Sequence, residues 1–305
     1  MNRVLFRADS SSSIGTGHIM RDLVLAKQYP DSKIVFATQE LKGNLNSKII
    51  KSGYVVEPLV SNDVEELISL VKRLDIDMVI IDHYGIDYTF EKALKVKTDV
   101  QLMVLDDTYE EHFCDLLLNH NIYADENRYK DLVPKNCELQ CGKEFTLLRD
   151  EFTIEKQIGR QNKNDKVNLN VFIAMGGADH SNINTKILKV LTKFPSIHVH
   201  VVTTMANKHL EELKNYIIHL KNITLHINTN KIAKLMNKAD FAIITPSVTL
   251  NEIFYLNVPF IAIRTADNQK HMCKYLEERN LIVLDNFNSY ILSEKVSILR
   301  KDDYI

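Results

Sequence analysis

Apolar runs that stop at a polar residue constrain the fold of this chain more than any other feature. Met78-Val79-Ile80-Ile81 ends at Asp82, Leu102-Met103-Val104-Leu105 at Asp106-Asp107, and Leu116-Leu117-Leu118 at Asn119. A run that is apolar without alternation is the pattern of a strand buried on both faces, as in parallel sheets covered by helices. Amphipathic segments fall between such runs, with Val64, Leu67, Ile68 and Val71 sharing one helical face. Val4-Leu5-Phe6, Lys33 to Ala37 and Tyr54 to Val56 read as further strands, and Leu41 to Ser52 as a helix. Strands alternating with helices indicate an α/β chain with a parallel, doubly wound sheet. The polar stretch Glu155 to Asn168 reads as a linker. The pattern then restarts. Strands are expected at Leu169 to Met175, Ile197 to Val202, Ile223 to Leu225, Phe241 to Ile244 and Phe260 to Ile263. Helices are expected at Asn182 to Leu191, Leu210 to Leu220, Ile232 to Asn237, Val248 to Leu256 and His271 to Arg279. The expected organisation is a domain at 1–154, a linker at 155–168, a second domain at 169–285, and a tail at 286–305 with no assigned role.

With 305 residues, 45% of them hydrophobic, the chain supports two cores. Lys plus Arg number 38 against 40 Asp plus Glu, which gives no basic footprint for nucleic acid. No apolar run is long enough to span a bilayer, and Met1-Asn2-Arg3 leads into a strand rather than a signal peptide. Cys114, Cys137, Cys141 and Cys273 are irregularly spaced and read as reduced thiols, so a cytoplasmic protein is expected. No dense His or acidic cluster suggests a metal, and no cofactor is expected.

In doubly wound sheets ligands bind beyond the carboxyl ends of the strands. That rule selects the loop from Ser10 to His18, with Gly15 and Gly17, and the turn Asp82-His83-Tyr84. It also selects Asp106-Asp107, Asn119, Gly176-Gly177 and the strand–helix junction Ser247 to Glu252. The first loop is neither a dinucleotide fingerprint nor a Walker A loop. A histidine at a helix start titrates near neutral pH and can exchange a proton with water, yet a solvated or capping histidine is as common. Asp107 and Asn119 read better as turn or cap residues, while Asp82 to Tyr84 is evenly balanced. Ser247 is either a phosphate contact or an N-cap. Glu252 either accepts ribose hydroxyls or complements a helix dipole.

Phe6 to Ser11 and Gly15-Thr16-Gly17-His18-Ile19-Met20-Arg21-Asp22 resemble the N-terminal motif of the UDP-2,4-diacetamido-2,4,6-trideoxy-β-L-altropyranose hydrolases of pseudaminic acid biosynthesis. Ile81 to Ile86, Leu148 to Phe152, Met175 to Asp179, Ile232 to Asn237, Asn251-Glu252 and Asn268-Gln269 match in order. Ala178, and the run Thr245-Pro246-Ser247, depart from the family pattern. The resemblance implies a GT-B architecture, two Rossmann-like domains facing across a cleft. It implies metal-independent, inverting hydrolysis of a UDP-sugar by water, with His18 as base. By the same resemblance Tyr84 and Asn268 would hold the sugar or the water. Arg149, Ser247 and Glu252 would contact the nucleotide, and Ile232 and Met236 would border uracil. Gly17, Asp82, Gly176, Gly177 and Asn251 complete the expected substrate contacts. The implied setting is a bacterial, cytoplasmic, monomeric enzyme of flagellin or surface glycosylation, acting on a small UDP-sugar without nucleic acid or membrane. Competing readings are a GT-B glycosyltransferase, a nucleotide-sugar epimerase and a non-catalytic nucleotide-sugar-binding protein.

Overall fold

A computed structural model describes residues 2–160 and 168–301, and the chain divides between Leu147 and Leu148 into two units. In the N-terminal unit the order is β1 (Arg3–Ala8), α1 (Gly17–Leu25), β2 (Lys33–Gln39), α2 (Asn46–Lys51), β3 (Val55–Leu59), α3 (Val64–Leu74) and β4 (Met78–Asp82). It continues with α4 (Tyr88–Thr98), β5 (Gln101–Leu105), β6 (Leu116–Asn119) and β7 (Glu138–Cys141). All strands pair in parallel, in the order β3-β2-β1-β4-β5-β6-β7.

Successive side chains of a strand point to opposite faces, so each apolar run feeds two cores. Leu5, Val79, Ile81, Leu102, Val104 and Leu117 pack with Leu67, Ile68, Val71 and Leu94 of α3 and α4. Val4, Phe6, Ile80, Met103 and Leu118 pack with Ile19 and Leu23 of α1 on the other face. Each such side chain, fully buried, contributes about 1.5–3 kcal/mol. Helices α3 and α4 start where Asp63 and Asp87 accept the amides of Glu65 and Phe90, and stop at Asp75 and Asp99 in the left-handed region.

The C-terminal unit opens with α5 (Asp150–Ile158), then β8 (Leu169–Ala174), α6 (Ile183–Leu191), β9 (Ile197–Thr203), α7 (Leu210–Ile217), β10 (Ile223–Ile227) and α8 (Ile232–Lys238). It closes with β11 (Phe241–Ile244), α9 (Val248–Leu256), β12 (Phe260–Ile263), α10 (Lys270–Glu277), β13 (Val283–Leu284) and α11 (Ser289–Lys301). Its parallel order is β10-β9-β8-β11-β12-β13.

Several sequence expectations are corrected by this geometry. The helix expected from Leu41 to Ser52 is confined to α2. Gly43 turns with a positive φ of 80°, and its open face admits Ser12, whose Oγ lies 2.3 Å from where a Cβ would stand. Residues 155–158 complete α5, whose Phe152 is fully buried, rather than beginning a linker, and residues 161–167 of that stretch lie outside the described residues. The tail contains α11, which packs on α6. Leu292 and Val296 are fully buried there because they join the core of the C-terminal unit. The four cysteines are free thiols.

Candidate active site

The loop after β1 is braced from below. Arg7, 1% exposed, donates from both terminal nitrogens to Asp9 at 2.9 Å. Asp9 also accepts the amide of Gln39 at 2.7 Å and lies 3.2 Å from Nε2 of His83. Burial opposes its charge, yet His83 and Arg7 hold its carboxyl well below the usual range. Above the brace, Ser11 and Gly15 exchange backbone hydrogen bonds of 3.2 and 2.9 Å. Gly15 takes a φ of 93°, which favours glycine. The chain is thereby delivered into α1 at Gly17.

Helix α1 carries His18, Arg21 and Asp22, three and four residues apart and so on one face. That face meets the end of β4. Nδ1 of His18 lies 2.6 Å from Oδ1 of Asp82. Asp82 also accepts from Arg21, through Nε at 2.6 Å on Oδ2 and through Nη2 on Oδ1. Burial works against the charge on Asp82, but Arg21 and His18 outweigh it and hold the carboxyl far below its ordinary value. Nη2 of Arg21 also lies 3.2 Å from Nδ1; in the tautomer whose Nδ1–H donates to the Asp82 carboxylate, Nε2 holds the lone pair. Among the described residues Nε2 has no hydrogen-bond partner. The rings of Tyr84 and His18 stand nearly perpendicular, 4.8 Å between centroids, and the Tyr84 hydroxyl donates to Asp107 at 2.9 Å. Nη1 of Arg21 reaches the same Asp107 at 3.1 Å. His120 sits 3.5 Å from that nitrogen; burial, then Arg21, push its pKa down to about 3, so it is neutral.

In the C-terminal unit the second cluster sits on α9 and the start of α5. Nη2 of Arg149 donates to Glu252 at 2.9 Å, and its Nη1 meets Glu151 at 2.5 Å. Burial raises the pKa of Glu252 while Arg149 opposes the rise. Helix α9 begins at Ser247 with no side-chain cap and no acid in its first turn. The start of α6 is different. Asp179 accepts the amides of Ile183 at 2.7 Å and Asn184 at 3.2 Å, so its own carboxylate already fills the place an anion would take. Among the described helices of nine residues or more, α1 and α9 have neither a capping side chain nor a first-turn acid; α3, α4, α5, α6 and α11 have one or the other.

A histidine oriented by a carboxylate is a setting for proton transfer. The UDP-2,4-diacetamido-2,4,6-trideoxy-beta-L-altropyranose hydrolase of Campylobacter jejuni is 41% identical over 277 residues, covering 91% of this chain and 97% of its own. The chain belongs to that hydrolase family. No family model matches it. MurG from Acinetobacter baumannii superposes with a TM-score of 0.68 at 12% identity, over 100% of this chain and 92% of that one. HepE from Anabaena, solved with UDP and glucose, gives 0.65 at 13% identity, over 99% and 90%. These likenesses establish a GT-B-type α/β architecture.

Against the residues expected for this family, the structure brings His18, Asp82 and Tyr84 together in one cluster and Arg149 and Glu252 in another. Gly17 and Ser247 stand at the uncapped helix starts, with Asn251 buried one turn into α9. Gly176 adopts a φ of 80° beside β8. Gly177 answers to packing, since a Cβ there would lie 2.8 Å from Thr204. Asn268 is exposed on the turn before α10. Met236 is fully buried, so of the pair expected beside uracil Ile232 alone offers surface. Arg21, Asp107 and His120 are the groups that residue reading left without a role. The strand-end rule had pointed at Asp107, and His120 follows the end of β6 by one residue. Among the described residues no helix is long and apolar enough to cross a membrane.

Proposed function

We propose that this enzyme hydrolyses UDP-2,4-diacetamido-2,4,6-trideoxy-β-L-altropyranose to UDP and the free sugar. The observation that carries the reading is the 2.6 Å contact of His18 Nδ1 with a buried, ionised Asp82, which leaves Nε2 to act. Water attacks the anomeric carbon from the face opposite UDP, and Nε2 of His18 takes the proton as the new C–O bond forms. The bond between that carbon and the diphosphate oxygen breaks, and UDP carries away the electron pair, so the anomeric configuration inverts. The bare amides at the start of α9 suit the charge that grows on the diphosphate, and Glu252, oriented by Arg149, suits the ribose hydroxyls. Tyr84 and Asn268 serve the sugar or the water. The product feeds pseudaminic acid biosynthesis for flagellin or surface glycosylation, and the enzyme works as a cytoplasmic monomer.

Turnover in ¹⁸O-water tests the bond that breaks. The expected result is label on C1 of the sugar, none in UDP, and one equivalent of free sugar per UDP with no acceptor added. Label in UDP, or UDP release only with an acceptor, overturns the reading. His18→Asn is expected to bind UDP normally and to lose about 10²–10⁴ in turnover.

A further inference from the structure

Asp22 is fully buried on α1, one turn beyond His18, and the mechanism above does not use it. Neither of its carboxyl oxygens receives a hydrogen bond from any donor among the described residues. It shares the face of α1 whose His18 and Arg21 both hold Asp82, so its charged neighbours are that carboxylate and the Arg21 cation. Arg21 makes no hydrogen bond to it: Nε and Nη2 contact Asp82, Nη2 also lies 3.2 Å from Nδ1 of His18, and Nη1 contacts Asp107 and His120. A second ionised carboxylate here would be an unpaired buried charge pressed against another, which low-dielectric surroundings do not tolerate. Asp82 has the opposite deficit. A carboxylate offers about four acceptor positions. Oδ1 takes His18 and Arg21 Nη2, and Oδ2 takes Arg21 Nε, which leaves one position on Oδ2 open.

We propose that Asp22 keeps its proton in the folded enzyme and donates it to the open position on Asp82, as a positioning residue. Resting on the reading of His18 as base, this makes Asp82 a carboxylate clamped from two sides, by Arg21 and by the Asp22 hydroxyl. The clamp holds the rotamer that receives the Nδ1 proton of His18. Burial first, and then Asp82, push the Asp22 carboxyl well above the usual carboxylate range, as the clamp requires.

The test uses the full chain labelled with ¹³C at aspartate carboxyls, with the Asp22 signal assigned by its loss in Asp22→Asn. The expected signal is that of a carboxylic acid throughout the neutral range; a carboxylate signal overturns the proposal. Asp22→Ala, which removes the donor, should lower kcat about tenfold at unchanged KM, the equivalent of one lost hydrogen bond. Asp22→Asn, whose amide donates to the same oxygen, should recover most of that loss and leave the acidic limb of the pH–rate profile in place. Asp22→Ala with full kcat, or Asp22→Asn as slow as Asp22→Ala at native melting temperature, overturns it, as does a shifted acidic limb in Asp22→Asn. The carboxyl signal is also read in His18→Asn. If that variant still turns over, the base assignment fails while the protonation of Asp22 is decided separately.

Discussion

A carboxylate between two basic side chains responds differently to loss of its charge and loss of its volume. Asp82 holds His18 by one oxygen and Arg21 by both. Asp82→Asn keeps the shape but presents an amide where the Nδ1 proton needs an acceptor, so the ring proton moves to Nε2 and the lone pair is lost. The expected outcome is a fall in kcat of about 10²–10⁴, read at saturating substrate, with UDP affinity by calorimetry unchanged. Asp82→Ala also leaves Nε and Nη2 of the buried Arg21 without their carboxylate, Asp107 holding Nη1 alone, and should cost about 3–5 kcal/mol in urea unfolding. The strand-end rule made His18 and Asp82 visible in the sequence as separate candidates. Their pairing was not visible, because 64 residues separate them and only the β1–β4 register joins them. Asp107 had read as a turn residue by composition, and its hydrogen bonds to Tyr84 and Arg21 come from tertiary placement. Met236 matched the family by position, yet position says nothing of which way a helical side chain turns.

At the scale of elements, the segment 106–113 is pinned by a buried ion network. His112 lies 2.7 Å from Glu91 of α4, and Tyr129 donates to Asp106 at 2.6 Å. Burial alone would lower the pKa of His112, but Asp106 and Glu91 raise it from 6.5 to about 9. Asp106 is itself held well below 3.8, where His112 and then Tyr129 overcome burial. A raised histidine stabilises fully below its unfolded value and ceases to do so as pH climbs through the folded one. The N-terminal unit is therefore expected to lose stability between about pH 6.5 and 9. Asp9, Asp82 and Asp106, all depressed, add a loss as pH falls below their unfolded value of 3.8. Urea midpoints across pH check both limbs, and His112→Leu should flatten the alkaline one. The strands that formed long apolar runs were legible in the sequence for a physical reason: burial on both faces leaves no room for polar residues. The edge strand β7, Glu-Leu-Gln-Cys, and the two-residue β13 lack that signature and escaped notice. Helix α11 alternates exposed Tyr290 and Ile298 with buried Leu292 and Val296, and its role was invisible until α6 was seen beneath it.

For the whole molecule, two units of one architecture each carry one cluster: His18 with Asp82 in the first, Arg149 with Glu252 in the second. That duplication was legible, because the strand–helix rhythm restarts after the polar stretch; the dividing point between Leu147 and Leu148 was not, because α5 is itself polar on one side. A ligand that binds only the folded form stabilises it by mass action. UDP at 100 times its Kd should add about 2.7 kcal/mol, read as a rise in melting temperature that Glu252→Gln diminishes.

The bare starts of α1 and α9 reach further than the substrate. Helix starts without a capping side chain or a first-turn acid do not distinguish a diphosphate from any other small oxyanion. Phosphate or sulfate from a buffer is therefore expected to compete with the UDP-sugar, read as an apparent KM that rises with phosphate at constant ionic strength.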